Sequence, residues 1–381
     1  MQRRIFEAEH DAFRSSVRAL LSRILTEEVD RNRERRSIGR DLWIALGGHG
    51  FLGFMVPEAY GGGGINDFRY NAVLGEELTA YGVAYASSIG INTDVMAPYL
   101  LELASAEQQE RWLPAFCSGE LITAIAMTEP TAGSDLAAIR TTACRNGADW
   151  IMNGSKTFIT NGASADLMVV AASTAPEKGR NGISLFLVDS SLPGVQRGRK
   201  LAKVGQPESD TSELFFTDVR LTEHALLGEE GAGFGYMMKR LPQERLSVAV
   251  VAVAHARRTL DVTLEYVKER HAFGQAIGHF QHNKFALADL HARIEVTQVF
   301  VDACIASLVT GAIDAIDAAM AKLLATELQG DVADFGVQMF GGSGYMEETS
   351  VARAWVDARV TRIYAGSSEI MRELIGRSLG L

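Results

Sequence analysis

Over the first hundred or so residues, apolar positions recur every three or four. In HDAFRSSVRALLSRIL, Phe13, Val17, Leu20, Leu21 and Ile24 fall on one stripe, which predicts an amphipathic helix. From Glu120 to about Gly228 the period shortens. LITAIAM, LMVVAAS, ISLFLVD and SELFFTDVRL are short β-rich runs bounded by turn residues, and TTACRNGADWIMNGSKTFI folds two more around an Asn-Gly turn. This stretch predicts a small antiparallel sheet or β-barrel. Helical spacing then returns in longer runs. Leu246, Val250, Val253, Leu260, Leu264 and Val267 repeat down to ERHAFG, with Pro242 suited to the first turn of that helix. Leu287, Leu290, Ile294, Val301, Cys304 and Leu308 continue the pattern to Gly311, a further helix is predicted from Ile313 toward Gly341, and SEIMRELIGRSL closes the chain. The pattern predicts a mainly α protein with a central β domain: helices over 1–119, the β segment over 120–228, and a four-helix bundle over 229–381.

Composition narrows the function classes. The 381 residues are 47% hydrophobic and 22% charged, ordinary for a globular chain. A net charge of −10 with no basic stripe argues against nucleic acid or an anionic membrane as the main partner. The one arginine-rich run, RNRERR (Arg31 to Arg36), reads as a solvated helix end. Cys117, Cys144 and Cys304 are odd in number and far apart, which predicts neither a disulfide framework nor a thiolate metal site and fits a reducing cytoplasm. MQRRIFEAEHDAF mixes acids with bases and predicts no export signal. The longest apolar run, VAVVAVA from Val248, is too short to span a bilayer.

Several chemistries lack their residues. The eight histidines contain no HExxH, and no GxSxG elbow occurs. GAGFG (Gly231 to Gly235) and YGGGG (Tyr60 to Gly64) lack the contexts of a Rossmann turn or a P-loop, and read as plain loops. What remains is AIAMTEPTAGSDLAAIRTTA followed by FITNG. A Thr-, Gly- and Ser-rich loop after an apolar strand offers backbone N–H groups and hydroxyls to an anionic, hydrogen-bonding cofactor.

With MTEPTAGSD, ERHAFG, QMFGGSGYMEE and IYAGSSEIMRELIGR in that order, the chain resembles the acyl-CoA dehydrogenase family over essentially its whole length, and LPQERL resembles the long-chain branch. The resemblance implies FAD as cofactor. It assigns Met127, Thr128, Gly133, Ser134, Phe158 and Thr160, with Gly366, Ser367 and Ser368, to the flavin, and Ser134 also to the thioester arm. Phe158 stands where many relatives carry tryptophan. Arg270, Phe280, Gln281, Gln338, Gly341 and Gly342 match positions that bind the ADP half of FAD across a subunit boundary, implying a homo-oligomer, a dimer of dimers. Read without the family, Gly341 and Gly342 are equally ordinary helix terminators.

The implied reaction removes an α proton and a β hydride from a fatty acyl-CoA, leaving a trans-2-enoyl thioester, with electron transfer flavoprotein as acceptor. Many relatives carry the proton-accepting glutamate at the position of Ala365; the long-chain and isovaleryl branches place it at the position of Glu244. Ala365 keeps the backbone N–H that in the family donates to the thioester oxygen. Arg245 is expected to order the site and Tyr364 to line the acyl pocket. An acid near a helix start is also a common way to complement the first turn, so Glu244 alone has a second reading. Ala86, Ser87 and Gly90, all small, are expected to form the pocket floor and leave depth for medium to long acyl chains, with branched and ring-bearing groups open. An oxidase using oxygen, or a non-catalytic subunit, would share these motifs.

Overall fold

The computed structural model describes residues 3–381. Helix α1 (Ala8–Leu25) turns Val17, Leu20 and Leu21 of the predicted stripe inward, with Phe13 and Ile24 half-buried beside them and Leu25, outside the stripe, also buried. Around these pack α2 (Val29–Arg35), α3 (Arg40–Gly48), α4 (Phe68–Leu78) and α5 (Val83–Gly90), closing a core that holds Trp43, Leu46, Tyr85 and Ile89. The arginine-rich run ends α2, though not wholly in solvent: Asn32 is buried and donates to the Tyr85 hydroxyl at 2.8 Å, while Arg33 pairs with Glu208 at 3.2 Å. Past α5 the chain widens into a π-helical turn over Ile91–Met96, then continues as α6 (Ala97–Leu103) and α7 (Ala106–Ser118). Such turns cluster at functional sites, and this one borders the cavity described below.

The central segment supplies β1 (Thr123–Ala126), β2 (Thr142–Asn146), β3 (Asp149–Thr160) and β4 (Leu167–Ser173). It continues through β5 (Ile183–Asp189), β6 (Val195–Lys200), β7 (Thr211–Leu221) and β8 (Leu226–Leu227). The expected hairpin forms, with Asn146 opposite Asp149 and Gly147 at φ 67° in the turn. In two respects the sheet departs from an antiparallel barrel. Its order, β6-β7-β3-β2-β4-β5-β8, is an open path, and β1 and β2 both pair parallel with β4. Parallel neighbours need a crossover, and the Thr-, Gly- and Ser-rich stretch after β1 is part of it.

Both faces of β4 are covered. Leu167, Val169 and Ala171 lie in one cluster with Met96, Tyr99, Leu113 and Phe116; Met168, Val170 and Ala172 join Trp150 and Phe186 in another. One sheet face is thereby pressed against the amino-terminal helices.

Helix α8 (Gly233–Glu269) starts earlier than expected, so Pro242 lies inside it rather than in its first turn. The start is set by GAGFG, which is more than a loop. Gly231 turns at φ 79°, and a Cβ on Gly233 would come within 2.9 Å of the Ile183 carbonyl, so only glycine lets the helix begin against β5. A short hairpin of β9 (His271–Ala272) and β10 (Gln275–Ala276) follows, then α9 (Gln281–Val309), α10 (Ala315–Phe340), α11 (Ser350–Arg359) and α12 (Ser368–Ser378). The Asp314 carboxylate caps α10, accepting from the Ile316 and Asp317 amides at 2.7 and 2.8 Å, and Gly341 ends it at φ 59°. Helix α10 packs along α8, with Leu246, Val250, Leu260, Ile294, Val301, Ala325 and Leu328 between the bundle helices. No described helix is long and apolar enough to cross a membrane.

Candidate active site

A cavity of about 430 Å³ lies where the sheet, α5, α8 and the loop before α12 meet. Ala86, Ser87 and Gly90 of α5 line it, as expected of its floor. One face of α8 forms a wall: Leu241, Glu244, Arg245, Val248 and Val251 follow one another at helical spacing. Met127, Thr128, Gly133 and Ser134 enter from the crossover after β1, Phe158 and Thr160 from the end of β3. Tyr364, Ala365 and Gly366 complete the lining from the loop before α12.

At the sheet end, Phe158 is 68% exposed and held at φ 58°. A bulky side chain in the left-handed region is strained, and such strain gathers at functional sites. Two buried charges brace the crossover behind it. Lys156 pairs with Glu129 at 2.8 Å and donates to the Met127 carbonyl at 3.1 Å; Glu129 accepts from the Arg140 and Thr141 amides at 2.7 and 2.9 Å. Burial pushes Lys156 down to about 8 against the pull of Glu129. Burial would raise the Glu129 pKa, yet Lys156 and these donors hold it below the usual carboxylate value. An out-facing aromatic ring, three hydroxyls at Thr128, Ser134 and Thr160, and open space around Gly133, where a Cβ would touch nothing within 4 Å, suit the flat body and hydrogen-bonding edge of a flavin.

At the helical end stands Glu244. Its Oε1 is sealed from solvent and, among the described residues, has no well-formed hydrogen bond; the buried Tyr99 hydroxyl has none there either, but lies close enough to favour the ionised carboxylate. Desolvation lifts the Glu244 pKa to about 7, against the opposing influences of Arg245, Tyr99 and Arg240. The helix start lies well upstream, so neither a dipole effect nor first-turn complementation accounts for this acid. Ala365 is held at φ 52°; its carbonyl accepts from Arg245 Nε at 3.5 Å, and its N–H has no acceptor among the described residues. The Tyr364 hydroxyl reaches Ser87 Oγ at 3.4 Å, tying loop to floor.

Of the residues singled out from the sequence, the cavity gathers Met127, Thr128, Gly133, Ser134, Phe158, Thr160, Glu244, Arg245, Tyr364, Ala365 and Gly366. Arg270, Phe280, Gln281, Gln338, Gly341 and Gly342 lie outside it, and all but the half-buried Phe280 are exposed. Ser367 caps α12 and Ser368 donates to Glu327 at 2.6 Å, so both hydroxyls have local partners. Sequence reading missed the rest of the α8 wall, although Phe234, Met238, Leu241, Val248 and Val251 form a second stripe at three- and four-residue spacing. It also missed Tyr99, Arg240, Asp94 and Lys322. Asp94, buried under Ser247, accepts from Asn71 at 2.8 Å and Thr93 at 2.7 Å, and burial raises its pKa.

A seat for a flat, hydrogen-bonding cofactor at one end of an apolar cavity and a carboxylate poised near neutrality at the other are the working parts of a flavin-dependent oxidoreductase for apolar acyl substrates. The chain belongs to the acyl-CoA dehydrogenase family: the N-terminal, middle and C-terminal domains of that family match residues 7–120, 124–219 and 231–380. It is 45% identical to the mitochondrial long-chain specific acyl-CoA dehydrogenase of Mus musculus over 379 residues, covering 99% of this chain and 88% of that one. An acyl-CoA dehydrogenase from Geobacillus kaustophilus superposes with a TM-score of 0.98 at 44% identity over all of both chains. A glutaryl-CoA dehydrogenase from Mycobacterium smegmatis in complex with FADH2 does so at 0.92 and 27%, covering 99% of this chain and 95% of that one. The protein is an FAD-dependent oxidoreductase acting on acyl-CoA.

Proposed function

We propose that Glu244 takes the α proton of a medium- to long-chain fatty acyl-CoA while the Ala365 N–H stabilises the charge that grows on the thioester oxygen. The observation that carries this reading is the pairing, in one cavity, of a sealed and unbonded carboxylate oxygen with an unbonded backbone donor. A carboxyl poised near pH 7 is matched to proton abstraction in neutral solution, and the apolar wall of α8 keeps water from competing for it. Met127, Thr128, Gly133, Ser134, Phe158, Thr160 and Gly366 would hold FAD, which when bound would supply the acceptor for the β hydride. Arg245 holds the Ala365 carbonyl, in the peptide unit that follows the donor. The small residues Ala86, Ser87 and Gly90 leave room for the acyl tail.

The exposed Arg270, Gln281, Gln338, Gly341 and Gly342 lie outside the cavity, which supports contact with FAD bound to a neighbouring protomer of a homo-oligomer, a dimer of dimers. Electron transfer flavoprotein is the acceptor in this reading. Three free cysteines support a reducing, cytoplasmic setting, and the two changes between helix and strand, after α7 and before α8, support domain limits at 119 and 228. The test is Glu244→Gln, which keeps size and removes the basic oxygen. FAD should stay bound while anaerobic reduction by acyl-CoA slows at least ~100-fold; reduction near the wild-type rate would place the proton acceptor elsewhere.

A further inference from the structure

Lys322 of α10 is fully buried, at 0% exposure, and lies outside the cavity lining. A lysine so placed is costly unless its charge is used. Its ammonium donates to the carbonyl of Gly366 at 2.5 Å and, among the described residues, bonds no carboxylate. Burial and the nearby Arg245 charge lower its pKa to about 8, while Glu327 and Glu369 oppose them.

The same helix grips the loop on both sides of that contact. Gln329 accepts from the Thr361 hydroxyl at 2.8 Å, and Glu327 meets Arg362 at 3.2 Å and the Ser368 hydroxyl at 2.6 Å. Between these anchors the chain passes through two left-handed residues, Ala365 at φ 52° and Gly366 at φ 92°. Their consecutive carbonyls are taken by two buried cations, Arg245 on the first and Lys322 on the second.

We propose that Lys322 is a positioning residue for the thioester: by holding the Gly366 carbonyl, it fixes the peptide planes of the loop so that the Ala365 N–H stays free and aimed at the substrate oxygen. This rests on the reading above, in which that oxygen meets Ala365. The two carbonyls belong to the peptide units that carry the Gly366 and Ser367 N–H groups, so the cations act on the Ala365 donor by pinning the chain immediately after it. The arrangement is preorganised, since α10 is a long, capped helix and not part of the loop it holds.

The test uses holoenzyme and a bound 2-enoyl-CoA carrying ¹³C at the thioester carbonyl, read by isotope-edited infrared difference spectroscopy. In the wild type the carbonyl stretch should fall below its value in water. Lys322→Met, similar in length without donor or charge, should lose much of that downshift, and flavin reduction at saturating acyl-CoA should slow about 10- to 100-fold, the cost of a misplaced reacting group. FAD content should be unchanged. Lys322→Gln, whose amide ends short of the Gly366 carbonyl, is read in the same way if the methionine variant does not fold. A wild-type frequency in either folded variant overturns the proposal, and so does failure of both to fold, which makes Lys322 a core residue only. Absence of any downshift in the wild type would instead overturn the Ala365 contact itself.

Discussion

Glu244 sits lower on the pH scale than its burial alone would set it, because Arg245, Tyr99 and Arg240 all favour the ionised form. Of these, Tyr99 can be altered most gently. Tyr99→Phe should move the rising limb of flavin reduction to higher pH, leaving the rate above that limb nearly intact; an unmoved profile would mean the two groups do not interact. The same carboxyl affects stability. Its pKa rises on folding from 4.5 to about 7, so the folded state binds the proton more tightly and stability falls as pH climbs through that window. Asp357, raised to about 7 by burial and Glu208, acts in the same direction. Glu244→Gln should therefore gain more in Tm over the wild type at pH 8 than at pH 5, and equal gains by calorimetry would contradict the assignment. Glu244 and Ala365 were legible because each belongs to a contiguous motif. Tyr99 and Lys322 were not, since what they touch lies far along the chain and only folding brings it near.

Helix α8 serves two compartments with two stripes. One, at Leu246, Val250, Val253 and Leu260, faces the bundle and was plain in the sequence; the other, through Leu241, Val248 and Val251, faces the cavity and was not separated from it. Helices with strong periodicity were predicted near their observed limits. The misses have physical causes: α11 buries mostly small residues, Ala354 and Ala358 beside Val351, and β6 is a polar edge strand, VQRGRK. The start of α8 was misplaced because a proline inside a helix reads as one at its beginning. At the floor, Gly90 has helical φ, and a Cβ there would meet Asp94 Oδ2 at 3.4 Å, ordinary contact. Gly90→Ala should therefore raise stability by about 0.5–1 kcal/mol. It should also lower kcat/KM for the longest acyl chains about 10-fold or more relative to short ones, the low end of what one methylene decides in a pocket. A chain-length profile unchanged by the substitution would remove Gly90 from the acyl site.

The bundle exposes large apolar side chains where the proposed homo-oligomer would cover them. Phe285, Val296 and Val299 share one exposed face of α9, and Leu324 and Trp355 are exposed on α10 and α11. These helices also carry or adjoin Gln281, Gln338, Gly341 and Gly342, so assembly and cofactor retention should fail together. Val299→Asp is expected to yield smaller particles by light scattering and paler protein after gel filtration. Dissociation without loss of FAD would confine the cofactor to one chain. The order of helix, sheet and helix was legible from the change of period alone, whereas the open, mixed sheet was not, because the parallel pairing of β1 and β2 with β4 depends on a crossover that leaves no mark in the strands themselves.

Ala365 contributes through its peptide group, and this shapes how the site can be interrogated and how it can change. Side-chain scanning passes over it: the residue is already alanine, and every replacement except proline carries the same N–H. At φ 52° proline cannot adopt the backbone at all, so its damage would report strain rather than a lost donor. The group is visible only to a backbone edit, an ester in place of the amide between Tyr364 and Ala365. In heredity the same fact makes the donor nearly immune to missense change, so what limits the side chain at 365 is the cavity it lines and the left-handed backbone it occupies.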